Sequence, residues 1–169
     1  MDKKTFSFEL VDKYTPETVI RNSLKQMEEA TDGHVLGKIE EYQGPICSYT
    51  KKGVLGTLSE PEEVNIQDAL GEQNDERNRY EVYLTVKGLE HYKYRMMFVD
   101  YGAISYPVTI VMNETLAREY NGGRLQEKFL VKSMKDLEDM LSTIFESKAM
   151  LSLLQSLINE SLRQEANSL

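Results

Sequence analysis

Apolar residues in this chain recur with two different periods, and the switch between them divides it into elements. Thr15-Pro16-Glu17 opens the clearest helix. The Thr hydroxyl can take an orphan amide, Pro costs nothing at the first helical position, and Glu faces the positive end of the helix dipole. Val19, Ile20, Ser23, Leu24 and Met27 follow at helical spacing, and Asp32-Gly33 ends the run, predicting a helix over 16–31.

Two-residue alternation governs what precedes and follows. Phe6, Phe8 and Leu10 share one face of an expected strand at 5–11. Residues 34–58 hold short β-like runs (His34–Tyr42, Ile46–Tyr49, Val54–Leu58) with a turn at Lys51-Lys52-Gly53. Residues 79–112 read as a three-stranded antiparallel meander. Its first strand alternates Tyr80, Val82, Leu84 and Val86 with Glu81, Tyr83 and Thr85. After a turn at Lys87-Gly88-Leu89-Glu90, Tyr92, Tyr94, Met96 and Phe98 are the expected inner face, and His91, Lys93, Arg95, Met97 and Val99 the outer one. Pro107 fits the start of the third strand, 107–112.

Asn113 is placed to cap a short helix, Glu114–Tyr120, that stops at Asn121-Gly122-Gly123, and residues 127–131 read as a last strand. Ser133 then caps a helix over 134–146, with its stripe at Met134, Leu137, Met140, Leu141, Ile144 and Phe145. Beyond Glu146 that phase meets Lys148 and Gln155, whereas Met150, Leu151, Leu154, Leu157 and Ile158 make a new stripe. The slip predicts a break near Ser147 and a second helix over 148–165; one long helix with a rotated face is the alternative. The expected fold is α+β in a single domain: an antiparallel sheet of about five to seven strands, with helix 16–31 and the two C-terminal helices covering one face.

Composition changes this picture little. Hydrophobic residues are 40% of the 169 and charged residues 28%, enough apolar content for a core. No run approaches the length of a membrane-spanning helix and no signal peptide is evident, so the cytoplasm is the expected location. Cys47, the single cysteine, cannot form an internal disulfide. The net charge of −8 disfavours direct binding to nucleic acid or an anionic membrane. Much of it comes from residues 59–76, where Glu60, Glu62, Glu63, Asp68, Glu72, Asp75 and Glu76 meet no Lys or Arg. That segment reads as an acidic, mobile loop with at most one helical turn.

Candidate chemistry is sparse. Glycine-rich phosphate loops, His-Glu-x-x-His, Gly-x-Ser-x-Gly and EF-hand patterns are all missing, so no cofactor and no metal is expected. His34 and His91 read as surface residues, and Cys47 as a packed thiol rather than a nucleophile. Between residues 77 and 95, Arg77, Arg79, Lys87, Lys93 and Arg95 face only Glu81 and Glu90, a local surplus of three positive charges interleaved with tyrosines. Cations and aromatics on one sheet face can hold a partner; Tyr83, Lys93 and Arg95 are the candidates on the outer side. On the last helix, Met150, Leu153, Leu154 and Leu157 belong to an apolar arc wider than one seam requires, a candidate surface for a homodimer. The reading that results is a non-enzymatic binding or regulatory protein acting through contacts with an unidentified protein. The alternatives are an acidic mimic of nucleic acid, built on the acidic segment, and a carboxylate- or His-dependent enzyme.

Overall fold

Thr15 does what its position suggested: its hydroxyl accepts the Thr18 amide at 3.3 Å and opens helix α1, Pro16–Ala30. Thr31 closes the helix, and Asp32 and Gly33 turn the chain through positive φ angles of 51° and 74°. The computed structural model describes residues 11–48, 62–63, 77–124 and 126–168. The elements following α1 are β1 (Val35–Glu41), β2 (Cys47–Ser48), β3 (Glu62–Glu63), β4 (Asn78–Val86), β5 (Leu89–Tyr101) and β6 (Val108–Met112). Then come α2 (Glu114–Tyr120), β7 (Lys128–Val131), α3 (Met134–Phe145) and α4 (Lys148–Asn167). Residues 5–10 of the expected first strand, the expected run Val54–Leu58 and its turn at 51–53 lie outside the described residues. So does the acidic segment, apart from Glu62 and Glu63, whose backbone pairs with β2.

Five strands form one antiparallel sheet in the order β1-β4-β5-β6-β7, and four helices pack against it, an α+β architecture. Leu24 of α1 is seated directly over Gly37 of β1. A Cβ at that glycine would lie 2.6 Å from Leu24 Cδ2, so the close approach of helix to strand requires the missing side chain. α3 packs against α1, and α4 crosses β1 and β4. The core gathers Ile20 and Leu24 of α1, Val82 and Leu84 of β4, Ile110 of β6, Leu137, Leu141 and Ile144 of α3 and Met150 of α4, all buried. Each fully buried side chain of this size contributes about 1.5–3 kcal/mol.

Side-chain caps join the helices. Asn113 Oδ1 accepts the Leu116 amide at 3.1 Å and Ser133 Oγ the Asp136 amide at 3.1 Å. The break near residue 147 is real. Ser147 Oγ accepts the Met150 amide at 3.2 Å and starts α4 as a separate helix. Glu119 of α2 adds a second cap, its two carboxylate oxygens accepting the amides of Lys148 and Ala149 at 2.7 and 2.8 Å. A carboxylate at this end satisfies orphan donors and the helix dipole together.

The meander departs from simple alternation at β5. The turn is only Lys87-Gly88, with Gly88 at φ 95°, and Leu89 and Glu90 already belong to the strand. A bulge then intervenes: Tyr83 is opposite Arg95, but Val82 is opposite Met97, so Met96 is an extra residue. Past it the faces exchange. Met97, Val99 and Tyr101 enter the core, while Phe98, expected inside, moves to the other face in the row Glu81–Phe98–Val111. The helical stripe of α4 is also narrower than its residues suggested. Met150 and Leu157 are buried, but Leu151 is 54% exposed.

A candidate site on the outer sheet face

Glu81 projects from β4 on the face opposite the core, yet it is only 6% exposed. Two residues of β5 cover it. Arg95 donates to its Oε2 from Nε at 3.0 Å and Nη2 at 2.8 Å, and Lys93 Nζ donates to its Oε1. Lys93 and Arg95 are two residues apart, so the pleat sends both side chains to the same face, on either side of the carboxylate. Burial alone would raise the pKa of Glu81. The hydrogen bonds and charges of Lys93 and Arg95 outweigh that and hold it below the usual glutamate range.

The same two cations lie over aromatic rings. Lys93 Nζ is 4.3 Å from the centre of the Tyr83 ring, and the Arg95 guanidinium is 4.9 Å from Phe98 and 5.5 Å from Tyr42. Tyr42 and Phe98 pack with ring centres 4.7 Å apart. Burial, followed by a hydrogen bond to Glu40 and the charges of Glu40 and Glu81, pushes the Tyr83 phenol up to about 12. It therefore stays protonated at neutral pH.

A second buried carboxylate repeats the arrangement. Asp100 of β5 is 3% exposed and directly opposite Arg79 of β4. Arg77 donates to its Oδ1 from Nε at 2.8 Å and also from Nη2. Arg79 Nε lies 3.2 Å from Oδ2 as an ion pair, but without the alignment of a hydrogen bond. Each acid is thus shared by two cations, and Glu40 of β1, directly opposite Glu81, sets a second carboxylate beside the first cluster.

Beside Arg95 a groove of about 280 Å³ opens, lined by apolar Phe98, Val111 and Met112 and by charged Arg95, Glu114 and Glu127. It adjoins the Glu81 cluster through Arg95 and Phe98.

The expected outer-face trio, Tyr83, Lys93 and Arg95, is therefore brought together around one carboxylate. Sequence reasoning counted Glu81, Arg77 and Arg79 as charge without seeing the two clusters. It missed Tyr42 and Phe98 altogether; the doubled Met96-Met97 was the available sign that the alternation slips. The four α4 candidates divide: Met150 and Leu157 are core, and Leu153 and Leu154 are half-buried against it. The outward flank is instead Leu151 and Leu162, 54% and 47% exposed. Of the acidic candidates, Glu62 and Glu63 are described as backbone in β3, and Glu60, Asp68, Glu72, Asp75 and Glu76 lie outside the described residues.

His91 is exposed, and His34 is tied to α4. Ser161 Oγ is 2.9 Å from His34 Nδ1, and Glu165 Oε1 is 3.9 Å from the same nitrogen. A nucleophile–base–acid relay needs the two partners on opposite ring nitrogens and an accessible hydroxyl. Here both share one nitrogen and Ser161 is fully buried, so the contact fastens α4 to the loop before β1. Among the described residues no cluster of three or more His, Cys, Asp or Glu is arranged to hold a metal ion, and no helix is long and apolar enough to cross a membrane.

No protein-family model matches this chain, and comparison with curated proteins and with solved structures found no match either. The reading of function therefore rests on the geometry above.

Proposed function

We propose that this is a non-enzymatic binding protein of the cytoplasm that acts through protein–protein contacts, and that the outer sheet face receives an acidic segment of its partner. The observation that carries this reading is the pairing of one buried carboxylate with two cations, made twice on one face. Glu81 and Asp100 orient the cations without neutralising them all. Lys93 and Arg95 remain 40% and 44% exposed, free to donate outward as well. Carboxylates of a partner suit such donors, and the groove beside Arg95, with Phe98 and Val111 in its wall, suits an adjacent side chain.

Nucleic acid offers similar anionic chemistry but fits less well. Its bases would need bare ring faces, and the rings here carry Lys93 and Arg95 over them.

Peptide display on the immobilised protein tests this reading. Asp/Glu-rich peptides should be enriched, should bind less well as salt rises from about 0.05 to 0.5 M, and should be lost with Lys93→Glu/Arg95→Glu. Enrichment indifferent to that double substitution would refute the site. Tight binding of a single-stranded oligonucleotide in place of any acidic peptide would refute the partner class.

Self-association through α4 is the second part of the proposal, carried by the half-exposed Leu151 and Leu162. Sedimentation equilibrium should show a dimer that Leu151→Glu/Leu162→Glu disperses. A monomer throughout, or a dimer that survives the substitutions, would count against it.

A further inference from the structure

The two edges of the five-stranded sheet are finished differently. At β1 the first two amides that point away from β4 are taken by α1 and its cap. Thr31 Oγ1 accepts the Val35 amide at 3.3 Å, and Glu28 Oε1 accepts the Gly37 amide at 2.9 Å. The helix thus covers the first half of that edge.

At β7 no helix does so. The Met112 amide donates to the Glu127 carbonyl at 2.7 Å, which makes 112 and 127 a hydrogen-bonded pair. Antiparallel pairing alternates, so Phe129 and Val131 bond to β6, while Lys128 and Leu130 turn their amides and carbonyls away from the sheet. Gln126 Nε2 donates to the Lys128 carbonyl at 3.0 Å. Among the described residues, nothing occupies the outward amide and carbonyl of Leu130, whose side chain is 59% exposed.

Both faces beside this edge are prepared for a strand. On the outer face, Lys128 and Lys132 are exposed and paired with no acid among the described residues. Toward the inner face a groove of about 250 Å³ opens at β7, with apolar Tyr120, Phe129 and Met140 and polar Gln126 and Asp136 in its wall. A strand laid along β7 would send alternate side chains to these two faces.

We propose that β7 is a strand-addition edge, and that its occupant is an extended partner segment alternating acidic and apolar residues. Its acids meet Lys128 and Lys132, its apolar side chains enter the groove, and its backbone pairs with Leu130. A second copy of this chain fits less well. Two β7 strands side by side would crowd four lysines, Lys128 and Lys132 from each, onto one face of a four-residue ribbon. This contact is separate from the Lys93–Arg95 site, since β6 lies between β5 and β7.

An eight-residue peptide of alternating Glu and Val, with blocked ends, is the probe, used with the full chain. In amide-exchange NMR it should slow exchange at Leu130. Leu130→Pro removes only an outward amide, so it should leave the fold intact and weaken binding on the order of tenfold. Lys128→Glu/Lys132→Glu should weaken binding at this edge at least as much, whereas Lys93→Glu/Arg95→Glu, which removes the acid-binding site of the outer face, should leave the slowed exchange at Leu130 unchanged. The same peptide methylated on its backbone nitrogens should not bind. Three results would overturn the proposal: binding indifferent to Leu130→Pro, a Leu130 amide already protected in the free monomer, or protection that appears only as the protein dimerises. The second would give the edge to the chain itself, and the third to a second copy.

Discussion

Replacing Glu81 by Gln removes a buried charge and keeps its shape, which isolates what the carboxylate does. It accepts three donor contacts, two from Arg95 and one from Lys93, and is only 6% exposed. Breaking a buried ion pair from one side costs about 3–5 kcal/mol when the abandoned charge stays buried. Here the abandoned cations are 40% and 44% exposed and regain water, so most of that penalty is relieved. Lost charge-assisted hydrogen bonds remain, and the amide of Gln would face donors with a donor. The net cost should be about 2 kcal/mol, which in a chain of this size lowers Tm by about 4–8 °C.

The pH dependence provides the sharper test. The folded-state pKa of Glu81 lies below its ordinary value of 4.5, so its stabilisation is complete above that pH. It fades as pH falls through the lowered folded value, where the carboxylate takes up a proton. Gln does not titrate. Urea unfolding followed by circular dichroism should therefore show wild type ahead by about 2 kcal/mol at pH 7, with the gap closing in acid. A gap that stays constant from about pH 7 to 3 would show that the loss is one of packing, and the electrostatic account would be wrong. The same substitution frees both cations, so Glu81→Gln should bind acidic peptides more tightly while folding less stably.

Gly37→Ala should cost about 1–3 kcal/mol in urea unfolding, since its Cβ would lie 2.6 Å from Leu24 Cδ2 and 2.9 Å from Leu24 Cβ. Combined with Leu24→Ala it should cost clearly less than the two single losses together, because the 2.6 Å clash with Cδ2 is then gone and only the 2.9 Å approach to the retained Cβ is left; strict additivity would count against it. Glu119→Ala removes both side-chain caps of the Lys148 and Ala149 amides and should cost about 1–2 kcal/mol, measured as an earlier thermal transition, with unchanged stability the contrary result.

Helices were legible where local chemistry and periodicity agreed. Thr15, Asn113 and Ser133 each cap as their positions suggested, and Ser147 caps at the phase slip, where one straight helix could not keep both stripes on one core. The exposed flank of α4 was not legible. Leucine content gives the width of an apolar arc, and only the position of β1, β4 and α2 decides that Leu157 turns in while Leu151 and Leu162 stay out. The open edge of β7 was hidden for a similar reason. Residues 127–131 read as a strand, but which strand ends the sheet depends on pairing across the whole fold.

The bulge at Met96 was the decisive hidden feature, for a reason of register. Period two predicts faces only while no residue is inserted, and one extra residue exchanges every face beyond it. Without the bulge, strict alternation through Met96 would keep Phe98 inside with Tyr92 and Tyr94 and turn Met97 and Val99 outward. With it, Met97 and Val99 fill the core, Phe98 comes beneath the Arg95 guanidinium, and Asp100 reaches the face that carries Arg77 and Arg79. Lys93 and Arg95 precede the bulge and Phe98 and Asp100 follow it. Both clusters can therefore occupy one face of this sequence only because the strand breaks its own alternation between them, so the bulge that hid the site from sequence reading is also what assembles it.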